Sequence, residues 1–200
     1  MRRLLVGVVA ASLMLVGIAG PATARPGNAG PPPGVVPGGQ SITDIVIASA
    51  SAEEDAEFTL LLGAVLYIAD TNPDSELVAG LFNNDQYTVF APTDQAFLNL
   101  LAATGLSSFA EIDAALGPGT VEAVVSYHVT DGRRASNSVL PRRGERTIST
   151  LLDGATFSVD TKGGITAVGN TANIVDANIS ASNGVIHVID AVILPVDLGL

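Results

Sequence analysis

The chain is predicted to fold as an α+β domain, helices first and a sheet last. Two observations carry this prediction. Up to residue 128 apolar residues recur at three- and four-residue spacing, and from residue 155 onward they alternate or run in short unbroken stretches. A sheet core with helices laid against it is the expected architecture.

Ahead of the periodic part, Arg2 and Arg3 precede an apolar run, Leu4 to Ala19, and Ala22-Thr23-Ala24 is a small-x-small cleavage site. A membrane-spanning anchor is the competing reading. The run falls short of the roughly 20 residues that a bilayer requires, and Gly20-Pro21 interrupts it. Residues 1–24 are therefore expected to be a signal peptide cleaved after Ala24, with no transmembrane anchor. The product is expected to be secreted, extracellular or periplasmic. Ten of the sixteen residues in 25–40 are Pro or Gly, a composition that cannot bury apolar surface and suits a tether. The body, residues 41–198, is long enough for one self-sufficient core, and no internal repeat divides it.

Asp44 to Asp70 reads as helical, with Phe58, Leu61, Leu62, Val65, Ile68 and Ala69 forming the buried stripe. Glu53, Glu54, Asp55 and Glu57 stand at its front, where the helix dipole favours negative charge. The alternative for these acids is a metal site, but no Asp-x-Asp-x-Asp-Gly loop is present. Asn72-Pro73 ends the helix. Tyr87 to Phe90 is a short strand that Ala91-Pro92 stops. Thr93 then caps a helix that buries Ala96, Phe97, Leu100 and Leu101. Ser108-Phe-Ala-Glu111 is a capping-box pattern opening a helix to Leu116, and Gly117-Pro118-Gly119 breaks it. Thr120 is placed to cap a helix from Val121 to His128. Beyond it, Ala155 to Asp160 alternates as a half-buried strand, and Gly163-Gly164 turns it into Ile165 to Val168. Ala172 to Ile179 is a further strand. Asn183-Gly184 turns into Val185 to Leu194, apolar on both faces and so central in the sheet.

Three of these segments resemble one family in order and spacing. Thr88-Val-Phe-Ala-Pro-Thr-Asp-Gln-Ala-Phe97 is similar to the first homology box of fasciclin domains. Tyr127-His128 falls at the family's Tyr-His dipeptide, and Gly184 to Pro195 is similar to the second box. The resemblance covers about residues 41–198, with a rather long segment between Ala69 and Gln86. It implies a wedge-shaped β-sandwich flanked by several α-helices, serving cell adhesion or contact with extracellular matrix, and no catalysis. The motif residues then read as structural. Phe90 and Phe97 are core, Pro92 and Thr93 set a strand-to-helix turn, and Asn183 and Gly184 set a hairpin.

Composition narrows the partners. With residues 1–24 removed, seven Lys plus Arg face twenty Asp plus Glu, a net charge of −13 that repels nucleic acid and anionic lipid. There is no cysteine, so neither disulfides nor a lipidated cysteine enter the account. His128 and His187 lack an accompanying nucleophile elbow, His-x-x-x-His pair or cysteine cluster. They read as structural histidines, with zinc or copper binding as the alternative, and no cofactor is expected. Arg133, Arg134, Arg142, Arg143 and Arg146 lie within fourteen positions rich in turn-formers, on a loop after the Tyr-His helix. Two readings stand for them: a solvated loop paired with nearby carboxylates, or a contact patch for an acidic or sulfated glycan or an acidic protein face. The resemblance also implies that integrin-binding members carry an Asp-Ile dipeptide before the second box. Here that position holds Asn178-Ile179, without the carboxylate, within a formal glycosylation sequon. Finally, the resemblance admits a carrier of a carotenoid or lipid. Small residues in the helices (Ala48, Ala50, Ala52, Gly63, Ala64, Ala69, Ala102, Ala103) leave room for such an apolar groove or simply allow close packing.

Overall fold

The computed structural model describes residues 39–53, 56–83 and 85–199. The expected signal peptide and the tether up to residue 38 lie outside the described residues, as do Glu54 and Asp55 of the acidic run. Helix α1 (Ile42–Ala50) opens on a full capping box, in which Ser41 Oγ accepts from Asp44 N at 3.1 Å and Asp44 Oδ2 accepts from Ser41 N at 3.0 Å. The helix expected over 44–70 is in fact two: α1 stops at Ala50 and α2 (Thr59–Thr71) begins afresh. The acidic run explains the break. Like charges packed into one helical turn repel each other, and the run offers no apolar face to bury. Buried Phe58 turns the chain between them in the left-handed region, φ +66°. Helix α2 ends before Asn72-Pro73, as expected. A short helix, α3 (Glu76–Phe82), capped by Ser75, occupies the long segment before the first strand.

Helix α4 (Asp94–Thr104) has Thr93 Oγ accepting from Ala96 N at 3.2 Å, the cap the sequence predicts. Helix α5 (Phe109–Leu116) has Ser108 as its cap, but the Glu111 carboxylate closes on Ser107 N at 2.7 Å instead of on Ser108. Helix α6 (Thr120–Tyr127) departs further. Thr120 Oγ1 donates backward to Gly117 O at 2.6 Å, and the Asp113 carboxylate on α5 caps α6 by accepting from Val121 N at 2.9 Å. A single turn, α7 (Ser136–Val139), follows.

Seven strands form the sheet: β1 (Tyr87–Pro92), β2 (Val129–Asp131), β3 (Glu145–Ser149), β4 (Thr156–Asp160), β5 (Gly164–Thr166), β6 (Thr171–Ala181) and β7 (Gly184–Ile189). Their order is β2-β1-β7-β6-β5-β4-β3, with β1 and β7 parallel and every other pair antiparallel. The fold class is α+β, as predicted, and β7 is central as its apolar faces require. Several strand limits differ from expectation: β5 ends at Thr166 rather than Val168, and β6 runs on to Ala181 rather than stopping at Ile179. Strand β1 continues two residues past Phe90, pairing Ala91 with Val188 and Pro92 with Ile189. Strand β7 stops at Ile189 rather than Leu194, because side chains replace the ladder: Ile193 N donates to His128 Nε2 and Leu194 N to Asn170 Oδ1, both at 3.0 Å.

The sheet bends back on itself. Leu151 N donates to Val129 O at 2.7 Å and Thr130 Oγ1 to Ser149 O at 2.6 Å, joining β2 to the residues that end β3. Two buried clusters result from the two-residue period of the strands. Val89, Ala91, Ile186 and Val188 face α1, α2, α4 and α6 in one cluster. Phe90 and Ile189 face Tyr127, Val139, Ile148, Phe157 and Val159 in the other, inside the fold of the sheet. Phe90 meets Phe157 edge to face at 5.0 Å, a geometry that adds about 1 kcal/mol beyond burial.

Candidate functional site

The motif residues spend their polar groups on backbone. Tyr127 is fully buried and its hydroxyl donates to Thr156 O at 2.7 Å, tying α6 to β4. His128, at the end of α6, has Nδ1 2.6 Å from Val124 O and accepts from Ile193 N through Nε2. An acceptor at Nε2 fixes the proton on Nδ1. Burial is the dominant influence on this ring and brings its pKa down to about 4. His187 carries the opposite tautomer. Its Nδ1 accepts from Asn178 N at 3.3 Å, so Nε2 carries the proton and donates to Arg134 O at 2.8 Å. Burial lowers its pKa too, against the Arg134 carbonyl and the Asp176 charge, which raise it. Both imidazoles are neutral and have both nitrogens engaged.

Asn183 and Gly184 work differently from simple turn-formers. The buried Asn183 amide accepts from Ile42 N at 2.7 Å and donates to Leu81 O and Asn83 O, so it fastens α1 and α3 to the β6–β7 hairpin. Gly184 stands where two strands approach closely: a Cβ there would lie 2.0 Å from Tyr87 O and 2.6 Å from Ile42 Cδ1. Thr93 has a neighbour in the first box that sequence reasoning underrated. Asp94 accepts from Thr59 N at 3.1 Å and Leu60 N at 2.8 Å, capping α2, while its own N donates to Glu57 Oε1 at 2.5 Å. Asp94 and Glu57 thus reciprocally close the starts of α2 and α4.

The five arginines do not share one loop. Arg133 is half-buried and its guanidinium donates to Gly184 O at 2.7 Å, to Ala181 O and to Ser180 Oγ, clamping the tip of the β6–β7 hairpin. Arg134 Nε donates to Asp131 O at 3.1 Å, and its N–H donates to Thr88 Oγ1 at 2.7 Å. Arg146 lies on β3 and reaches Ser138 O. Arg142 and Arg143 are exposed on the turn between α7 and β3. The structure therefore groups Arg133 and Arg134 with the scaffold and sets Arg142 and Arg143 apart at the surface.

Residues outside the sequence-derived set complete the framework around residues 132–136. Thr88 Oγ1 donates to Gly132 O at 2.7 Å. Asn178, at φ +69°, accepts from Ser136 N at 2.7 Å and donates to Ser136 Oγ at 2.8 Å. That occupies the side chain a glycan would modify. The sequence signal for this latch was the formal dipeptide position before the second box, which marks the same bulge of β6.

Among the described residues the larger clefts are two, and small apolar cavities lie beneath the helices. A cleft of about 690 Å³ is lined by Tyr67, Asn72, Asp113, Gly117 and Glu122, and one of about 440 Å³ by Asp74, Ser75, Glu76 and Glu122. Their central carboxylates are committed: Asp113 caps α6 and Glu122 accepts from Asn72 Nδ2 at 2.9 Å and Ser75 Oγ at 2.5 Å. Between α1, α2 and the sheet lies an apolar cavity of about 40 Å³, bordered by Val46, Leu61, Val65, Leu81, Val125 and His128. It holds about a water's volume, far below the roughly 300 Å³ at which small-molecule sites begin. Among the described residues, no group of three His, Cys, Asp or Glu is arranged to hold a metal, and no helix is long and apolar enough to cross a membrane.

With this geometry in place, comparison with known proteins gives a consistent result. The family model for the fasciclin domain matches residues 66–195. The immunogenic protein MPB70 of Mycobacterium bovis is 32% identical over 158 residues, covering 78% of this chain and 72% of MPB70. Protein sll1483 of Synechocystis is 39% identical over 124 residues, covering 60% of this chain and 62% of sll1483. The cell surface glycolipoprotein MPB83 of Mycobacterium bovis is 36% identical over 124 residues, covering 62% of this chain and half of MPB83.

Proposed function

Because the chain belongs to the fasciclin domain family, we propose that it is a secreted, non-enzymatic module that binds a component of a cell surface or matrix through exposed segments. The observation that carries this reading is the fate of the motif polar groups. Both histidines, Tyr127, Asn183 and Asp94 are bound to backbone inside the fold, which leaves recognition to exposed turns. MPB83, a relative over 62% of this chain, is by name a cell surface protein, and the expected export signal agrees with that place. The Arg142-Arg143 turn supplies exposed positive charge on an otherwise acidic body, which favours an anionic partner.

The test uses the processed protein, labelled and titrated onto envelope fractions from its producing cell at rising salt. Saturable retention that weakens with salt supports the reading. Retention no greater than that of a heat-unfolded sample removes it. A second reading, the carrier of a carotenoid or lipid, rests on the apolar cavity beneath α1, which would have to widen several-fold. A visible absorption band or extra mass in native mass spectrometry of protein from its source would favour that reading.

A further inference from the structure

We propose that the contact face of this module is a basic tip formed by Arg142, Arg143 and Lys162, and that it takes a linear anionic polysaccharide. The inference rests on the binding reading above and names its site and partner. Lys162 lies outside the arginine-rich segment and joins it only through the fold. In the β3–β4 ladder Glu145 pairs with Asp160, so Arg143, two residues before Glu145, and Lys162, two residues after Asp160, emerge at the same end. The contact of Leu140 with the Gly163 position confirms that the two turns adjoin, a Cβ there lying 3.8 Å from Leu140 Cδ2. All three basic residues are exposed.

Two carboxylates border the tip and offset part of its charge. Asp160 accepts from Lys162 N at 2.7 Å and Gly164 N at 2.8 Å and interacts with the Lys162 charge, while exposed Glu145 accepts from Ser158 Oγ at 2.9 Å. The exposed Arg142-Arg143 pair carries the excess positive charge. Adjacent guanidinium groups fit carboxylate or sulfate oxygens bidentately, and the lysine adds a point charge beside them. A protein partner suits this tip less well. Protein interfaces need about 1,000 Å² and an apolar centre. None of the exposed large hydrophobic residues (Ile47, Leu66, Phe82, Leu98, Leu116, Leu151, Val168, Val175, Val196) falls in the two turns. A charged chain lying across the tip needs no apolar centre.

The experiment measures retention of the processed protein on heparin, alginate and neutral dextran matrices, with envelope fractions run in parallel. Wild type is expected to bind both anionic polymers and not dextran, heparin and alginate separating sulfate from carboxylate preference. With about three charge contacts, affinity should fall roughly four- to sixfold for each doubling of salt. The R142S/R143S/K162S variant should elute with the dextran control while keeping the wild-type melting temperature. R142K/R143K, which keeps the charge but loses the bidentate fit, should bind more weakly than wild type and more tightly than the triple variant. Retention of the triple variant at wild-type strength overturns the tip. So does a wild type that binds envelope fractions but neither anionic polymer, an outcome that spares the binding reading. A wild type that binds none of these materials removes both.

Discussion

The two histidines are the residues where chemistry would have been easiest to suspect, and their tautomers show why they serve the fold. Each accepts a backbone N–H through one nitrogen and donates to a carbonyl through the other, so a proton added to either ring meets a donor already in place. This has a consequence with a definite sign. His128 has a pKa of about 4 in the fold against an ordinary value of 6.5. The unfolded chain therefore binds the proton first, and the stabilisation is complete above about pH 6.5 and is lost as pH falls toward 4. The difference amounts to about 3 kcal/mol for His128, and His187 acts in the same direction. Exposed carboxylates relieve the repulsion of the acidic body only near pH 4, so the histidines dominate the upper part of that window. Urea midpoints should drop clearly between pH 7 and pH 5. Midpoints that stay level would mean the rings are not held neutral. Gly184 permits a separate residue-scale test. Gly184→Ala forces a methyl against Tyr87 O and should cost about 4 kcal/mol or more, seen as loss of cooperative thermal unfolding.

At the scale of elements, helix starts are controlled by carboxylates from neighbouring elements, and this divides what the sequence reveals from what it hides. Local caps were legible: Thr93 and Ser108 stand at the helix starts where their hydroxyls predict them. Caps supplied from afar were not, because Asp94 reaches α2 from 34 residues away and Asp113 reaches α6 from a different helix. The period-two alternation found β4 and the hairpin into β5, yet β2 and β3 escaped it. Strand β2 is only three residues long, and β3 is an edge strand with a single fully buried residue, Ile148. The break between α1 and α2 was hidden because the acidic run reads equally well as the start of a helix, where the dipole favours negative charge. The reciprocal caps can be tested. Asp94→Ala removes the acceptor for Thr59 N and Leu60 N together, and should lower stability by about 2 kcal/mol, the upper range for capping residues. Asp94→Asn retains one acceptor oxygen and should recover part of the loss in the same denaturant titration.

For the whole molecule, the decisive feature is how residues 132–136 join the first half of the chain to the last hairpin. Arg133 clamps Ala181 and Gly184, Arg134 is held by Thr88 and His187, and Ser136 is held by Asn178. Elements distant in sequence thereby become one cooperative unit, and arginines that composition alone assigns to recognition are consumed in the scaffold. Charge content could be read from the sequence, but which charges remain at the surface depends on which carbonyls the fold leaves unsatisfied. The distinction is measurable. Removing the Arg133 side chain leaves Ala181 O and Gly184 O without this charge-assisted donor in a half-buried site, so Arg133→Ser should cost about 2–3 kcal/mol. Arg142→Ser and Arg143→Ser sit on an exposed turn and should stay within about 0.5 kcal/mol of wild type. Hydrogen exchange adds a spatial readout: in Arg133→Ser the amides of β6 and β7 near the hairpin tip should lose protection along with residues 132–136, while those of β4 and β5 keep theirs. If Arg133→Ser and Arg142→Ser proved equally mild, the clamp would carry no weight and all five arginines would again be candidates for the contact face.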